Sequence, residues 1–119
     1  MKANQDLEAA IAEHASKAPR ITPFDIEANI ASEFYFTAAD GVLGESEMGT
    51  RPAGIAEHLH RLTFCVLVLR NGFTVTGESA CASPENFNIT IGRRIARENA
   101  VEKIWPLMGY ELRTKLMQR

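Results

Sequence analysis

Five side chains in this chain could hold a transition metal: His14, His58, His60, Cys65 and Cys81. His58-x-His60 could turn two rings to one side, but a structural zinc site pairs its ligands at tight spacing in two places. The second pair is missing, so the sequence calls for no metal and no cofactor. Nucleophilic catalysis needs a Ser or Cys beside a base held by a third group. Ser79, Cys81 and Ser83 lie close together, yet no G-x-S-x-G elbow surrounds them. Glu78 and Glu85 could form a glycosidase-type pair, although two carboxylates at this spacing are not distinctive. The chain is therefore read as no enzyme.

Anion recognition has more to draw on. Arg93, Arg94 and Arg97 share one side of a helical projection, and guanidinium groups grip phosphate in bidentate fashion. Ser83-Pro84-Glu85 reads as a helix start, with Ser83 as cap and Pro84 at the first position; its free N–H groups would favour an anion. No Gly-rich phosphate loop is present. Thr74, Thr76 and Glu78 add a polar stripe along one side of a strand. These three and the three arginines form the candidate ligand-binding set. The competing reading is a solvated helix face with local pairs such as Arg94–Glu98.

The elements that would carry these residues follow from pattern. Leu7, Ala10, Ile11, His14 and Ala18 recur at helical spacing, so residues 1–20 read as a helical N-terminal extension ending before Pro19. Thr22, Pro23 and Asp25 then open a second helix on which Ile26, Ile30 and Phe34 share a face. Phe34 to Thr37 also has strand composition, and Ala38-Ala39-Asp40-Gly41 reads as a turn. Residues 41–57, with four Gly, one Pro and three Glu, read as a flexible loop.

Leu62 to Arg70 and Phe73 to Ser79 form the clearest unit, an antiparallel hairpin about Asn71-Gly72. A two-residue type I′ turn there pairs residues whose numbers sum to 143. One face then carries Leu62, Phe64, Val66, Val68, Phe73 and Val75 as core, and the other Cys65, Leu67 and Leu69 beside Thr74, Thr76 and Glu78. Cys65 and Cys81 fall on opposite faces as reduced residues. The second face needs a cover, either residues 34–37 or another copy of the chain. A C-terminal helix follows, with Ile91, Gly92, Ile95, Ala96, Asn99 and Ala100 on one side. Gly92, Ala96 and Ala100 are small and let it lie close on the sheet, and the Asn99 amide needs a backbone partner there. Trp105-Pro106 kinks the helix, and Leu107 to Met117 continues it. The fold expected is α+β, in a single domain over 1–119: N-terminal helices, a central antiparallel hairpin and a long C-terminal helix kinked at a proline.

The net charge of −2 hides a division. Residues 1–91 hold 6 basic and 12 acidic residues, a balance of −6, and residues 92–119 hold 7 and 3, a balance of +4. A pI near 5.9 disfavours nucleic acid as a partner. No apolar run reaches the ~20 residues of a membrane span. The polar N-terminus lacks a secretion signal, and two Cys fit a reducing cytoplasm.

Several stretches carry a resemblance: Tyr35 to Val42, Leu69 to Phe87, Ile91-Gly92-Arg93 through Ala100, Lys103 to Leu107, and Gly109-Tyr110. The chain resembles a family of small tailed-phage proteins labelled gene product forty-nine and gene sixty-six, over most of residues 22–116. The resemblance implies a phage origin and a host bacterial cytoplasm, and brings no catalytic residue with it. The function expected is that of a non-catalytic, homo-oligomeric phage accessory protein sequestering a small anionic, nucleotide-type host defence signal. The alternatives are a protein-binding inhibitor of a host enzyme and a nucleic-acid-binding protein.

Overall fold

The computed structural model describes residues 6–11, 18–47 and 57–118. Residues 6–11 are helical (α1) and are tied to the next segment by an ion pair from Arg20 Nη1 to Glu8 Oε1 at 2.8 Å. The remainder of the expected N-terminal helix, residues 12–17, lies outside the described residues.

Helix α2 (Pro23–Ala28) begins at a capping box. The Thr22 hydroxyl accepts from the Asp25 N–H at 3.2 Å, and the Asp25 carboxylate accepts from the Thr22 N–H at 2.9 Å. The helix stops at Ala28, and strand β1 (Ile30–Thr37) follows at once. The helical face expected to join Ile26 to Phe34 is thus corrected. Only Ile26 is helical, while Ile30 and Phe34 belong to the strand. The expected turn at 38–41 is corrected too, because Ala38–Glu47 forms helix α3. Its cause is a second Thr-x-x-Asp box, in which the Thr37 hydroxyl accepts from the Asp40 N–H and the Asp40 carboxylate from the Thr37 N–H. The loop expected over 41–57 therefore loses 41–47 to helix and Glu57 to a 3₁₀ turn (Glu57–Arg61). Residues 48–56 lie outside the described residues.

Strands β2 (Leu62–Leu69) and β3 (Thr74–Ala80) complete a three-stranded antiparallel sheet in the order β1-β2-β3. The hairpin register differs by one from the expected pairing: Leu67 faces Val75 and Cys65 faces Gly77, so paired numbers sum to 142. Leu69 donates its N–H to Phe73 O at 2.8 Å, leaving a three-residue loop. Gly72, at φ 89°, has the only positive φ among the described residues. This is the three-residue loop with a left-handed third position, in place of a type I′ turn. The one-residue slip inverts the faces. Thr63, Cys65, Leu67, Leu69 and Val75 are buried under a helix, while Leu62, Phe64, Val66 and Val68 take the other side. Cys65 and Cys81 fall on the same side of the sheet, both free, four pairs apart along the strands.

The cover for Cys65, Leu67 and Leu69 is helix α4 (Ile89–Glu102), so that face needs no second copy. Its small stripe, Gly92, Ala96 and Ala100, is buried on the sheet as expected. Ile91 and Ile95 remain largely exposed. Ser83 does not cap this helix: its hydroxyl donates to Glu85 Oε2, and Pro84–Asn86 is a separate 3₁₀ turn. Asn88 is the cap, its side-chain oxygen accepting from the N–H groups of Thr90 and Ile91. The chain bends at Lys103 and continues as α5 (Ile104–Met117). Pro106 lacks the N–H that would bond Glu102 O, so the break falls just before Trp105-Pro106. The architecture is α+β, one sheet layer under one helix layer, with α5 leaning on α2.

Candidate functional site

The three arginines of the candidate set meet different fates. Arg97 bridges three elements. Its guanidinium donates to both carboxylate oxygens of Glu27, at 2.7 and 3.1 Å, and to Glu33 at 3.2 Å. The Glu27 bonds, followed by Glu33, raise its pKa beyond the usual arginine range. Arg93 sets its guanidinium over the Tyr35 ring, 5.5 Å from the centroid. Arg94 is 82% exposed and meets Glu98 at 3.3 Å. Tyr35 closes this cluster by donating its hydroxyl to Glu33 at 2.5 Å. That bond first, and Arg97 second, hold the Glu33 carboxyl below its ordinary value, while burial and the same bond push the Tyr35 hydroxyl up.

Thr74, Thr76 and Glu78 stand on the opposite side of the sheet. Val75 and Gly77, which alternate with them, are buried under α4. The structure therefore does not bring the six residues of the set together. Asn99, the amide on α4, is exposed and donates to Glu78 O at 2.8 Å, capping a carbonyl of the edge strand β3. Its expected backbone partner on the hairpin is present.

What accompanies the threonine stripe is apolar. Phe34 on β1 pairs with Val66, and Phe36 with Phe64, with the Phe36 and Phe64 rings stacked at 5.4 Å between centroids. Phe34 is 56% exposed and Phe36 38%. Phe64, Val66 and Val68 are half-buried. Helix α3 borders this surface, where Gly41 lies beside the Phe36 ring. The only ionisable residue of the three rows 32–68–74, 34–66–76 and 36–64–78 is Glu78, at the outer edge. Apolar side chains, exposed or half-buried, thus run side by side across β1 and β2 on this face. Sequence reasoning inverted it, since β2 is apolar on both sides and a slip by one was not visible in its pattern.

Two of the clefts are lined by an arginine. The larger, about 560 Å³, lies between α2, the hairpin loop and α5 and is lined by Asp25, Asn29, Arg70, Met108 and Lys115. Its polar groups already serve the fold: Asp25 caps α2, Asn29 accepts from the Arg70 N–H, and Arg70 Nε donates to Ala28 O. The smaller, about 150 Å³, lies at the start of α4 beside Arg61. There Asn88 occupies the N–H groups an anion would use, and Arg61 Nε donates to Cys81 O. His58 and His60 are exposed on the 3₁₀ turn, and the described residues gather no group of three or more metal-ligating side chains. None of their helices is long and apolar enough to cross a membrane.

Residues 21–116 match the phage protein family described by N4 Gp49 and phage Sf6 gene 66, and the chain belongs to that family. No curated protein and no solved structure matches it.

Proposed function

We propose that this member of the N4 Gp49/Sf6 gene 66 phage family is a non-catalytic accessory protein of the host cytoplasm that works by binding. Its working surface is the open face of the sheet. The observation that carries this reading is the run Phe34, Phe36, Phe64, Val66 and Val68, exposed or half-buried without a charge among them. Burying such side chains releases roughly 25 cal/mol per Å² of apolar area, so a protein surface is the chemistry that fits. The anionic-ligand reading has narrower support. It rests on Arg93, because Arg97 is held by Glu27 and Glu33 and Arg94 stands next to Glu98.

The test is Val66→Lys, which places a cation in the middle of the open face and leaves the side under α4 untouched. Phage carrying this change should grow on the natural host as poorly as phage lacking the gene, while the purified variant keeps a folded circular dichroism spectrum. Normal growth with a folded variant would contradict the reading.

A further inference from the structure

We propose that the occupant of the open sheet face is a second copy of this chain, stacked face to face about a two-fold axis that runs along the strands. The inference rests on the preceding reading of that face as the binding surface.

A symmetric contact sets a patch against itself, so the patch must be self-complementary. Charge meets this condition first. Glu78 sits on β3 at the margin, and the central strand contributes only Leu62, Phe64, Val66 and Val68. Two copies would not bring like charges together at the centre.

Shape then selects the axis. Across the strands the rows read Ser32–Val68–Thr74, Phe34–Val66–Thr76 and Phe36–Phe64–Glu78. In the middle row the bulk lies on β1, in Phe34, and the small polar side chain on β3, in Thr76; Ser32 and Thr74 are both small, and Glu78 stands at the outer edge of the Phe36 row. A two-fold along the strands lays β1 of one copy over β3 of the other, Phe34 over Thr76, with Val66 facing its own counterpart. In the middle row the large side chain then meets a small one, as close packing between layers requires, while Glu78 falls at the rim beside the partner's Phe36. A two-fold across the strands would set Phe34 on Phe34 and leave Thr76 on Thr76, crowding one side and opening the other.

Thickness agrees with an unfinished stack. The chain measures 59 × 33 × 16 Å, and 16 Å accommodates a sheet and one helix layer. A second copy converts the two layers to four, with both sheets buried at the centre about 10 Å apart.

Sedimentation velocity at micromolar concentration tests this on the full chain, with Thr76→Arg and Val66→Lys. Thr76 is exposed in the protomer, so Thr76→Arg leaves the fold intact yet places a guanidinium under the partner's Phe34. The wild type should sediment at twice 13.2 kDa, and Thr76→Arg should return it to the single mass. A monomeric wild type overturns the inference, as does a dimer that Thr76→Arg leaves unchanged. If the wild type is monomeric while Val66→Lys still cripples the phage, the face binds another protein and the reading of it as the working surface stands. If the dimer forms as described while Val66→Lys phage grow normally, that reading fails and the dimer remains.

Discussion

Gly77 on β3 lies directly beneath Ala96 on α4, so close that a Cβ at Gly77 would stand 2.2 Å from the Ala96 carbonyl oxygen. The same atom would stand 2.3 Å from the backbone nitrogen of Ala100. Both obstacles are helix backbone, which cannot swing aside as a side chain can. The close approach is what allows Cys65, Leu67, Ala96 and Ala100 to be fully buried in so thin a molecule.

Gly77→Ala should therefore force α4 away from the sheet and cost roughly 3 kcal/mol or more. Urea denaturation checks this. A midpoint equal to that of the wild type would mean that the helix sits further from β3 than described.

Half of this contact was legible in the sequence. Gly92, Ala96 and Ala100 repeat at four-residue spacing, and that stripe does face the sheet. Its counterpart Gly77 was not singled out, and the expected pairing set it opposite Val66, whereas it faces Cys65. The reason is physical. Register is specified strongly where one side of a strand is polar, and β2 is apolar on both. Strand β1 was obscured differently: Ile26, Ile30 and Phe34 keep helical spacing through a chain that changes from helix to strand at Asn29. The Thr37-x-x-Asp40 box, by contrast, was a readable start signal for α3. Arg97 could not have been assigned from local spacing, since its partners Glu27 and Glu33 are 70 and 64 residues away.

The hairpin loop gives a second prediction. Gly72 has φ 89° with no atom within 4 Å of a built Cβ, so only backbone conformation resists substitution. Gly72→Ala should cost about 1–2 kcal/mol. Gly72→Asn should cost less, because Asn visits the left-handed region more readily. Equal melting temperatures for all three proteins would contradict the loop geometry.

The arginines should separate by role. Arg97→Gln removes the junction between α2, β1 and α4 and should cost about 1–2 kcal/mol, the range of charge-assisted bonds in a partly exposed setting. Arg94→Gln should leave the denaturation midpoint unchanged. The reverse order would assign Arg97 to solvent and free it for a ligand.

Glu33 makes stability depend on pH in a defined direction. Its folded pKa is depressed, first by the Tyr35 hydroxyl and then by Arg97. The stabilisation is complete above the unfolded carboxyl value, near 4.3, and disappears as pH falls through the folded value. Tyr35→Phe should flatten the loss of stability between about pH 5 and pH 3. An identical acid limb in wild type and variant would show that the hydroxyl does not hold this carboxylate.

The open face itself can be interrogated inside infected cells. With Phe34 replaced by the photo-crosslinker p-benzoylphenylalanine, irradiation should trap a product of twice the protomer mass, mapping to β3 of the second copy near Thr76. The same probe at Tyr110, which is 78% exposed on α5, should give no such product. Absence of any adduct from position 34, with efficient crosslinking from position 110, would contradict the claim that the open sheet face is the surface through which this protein works.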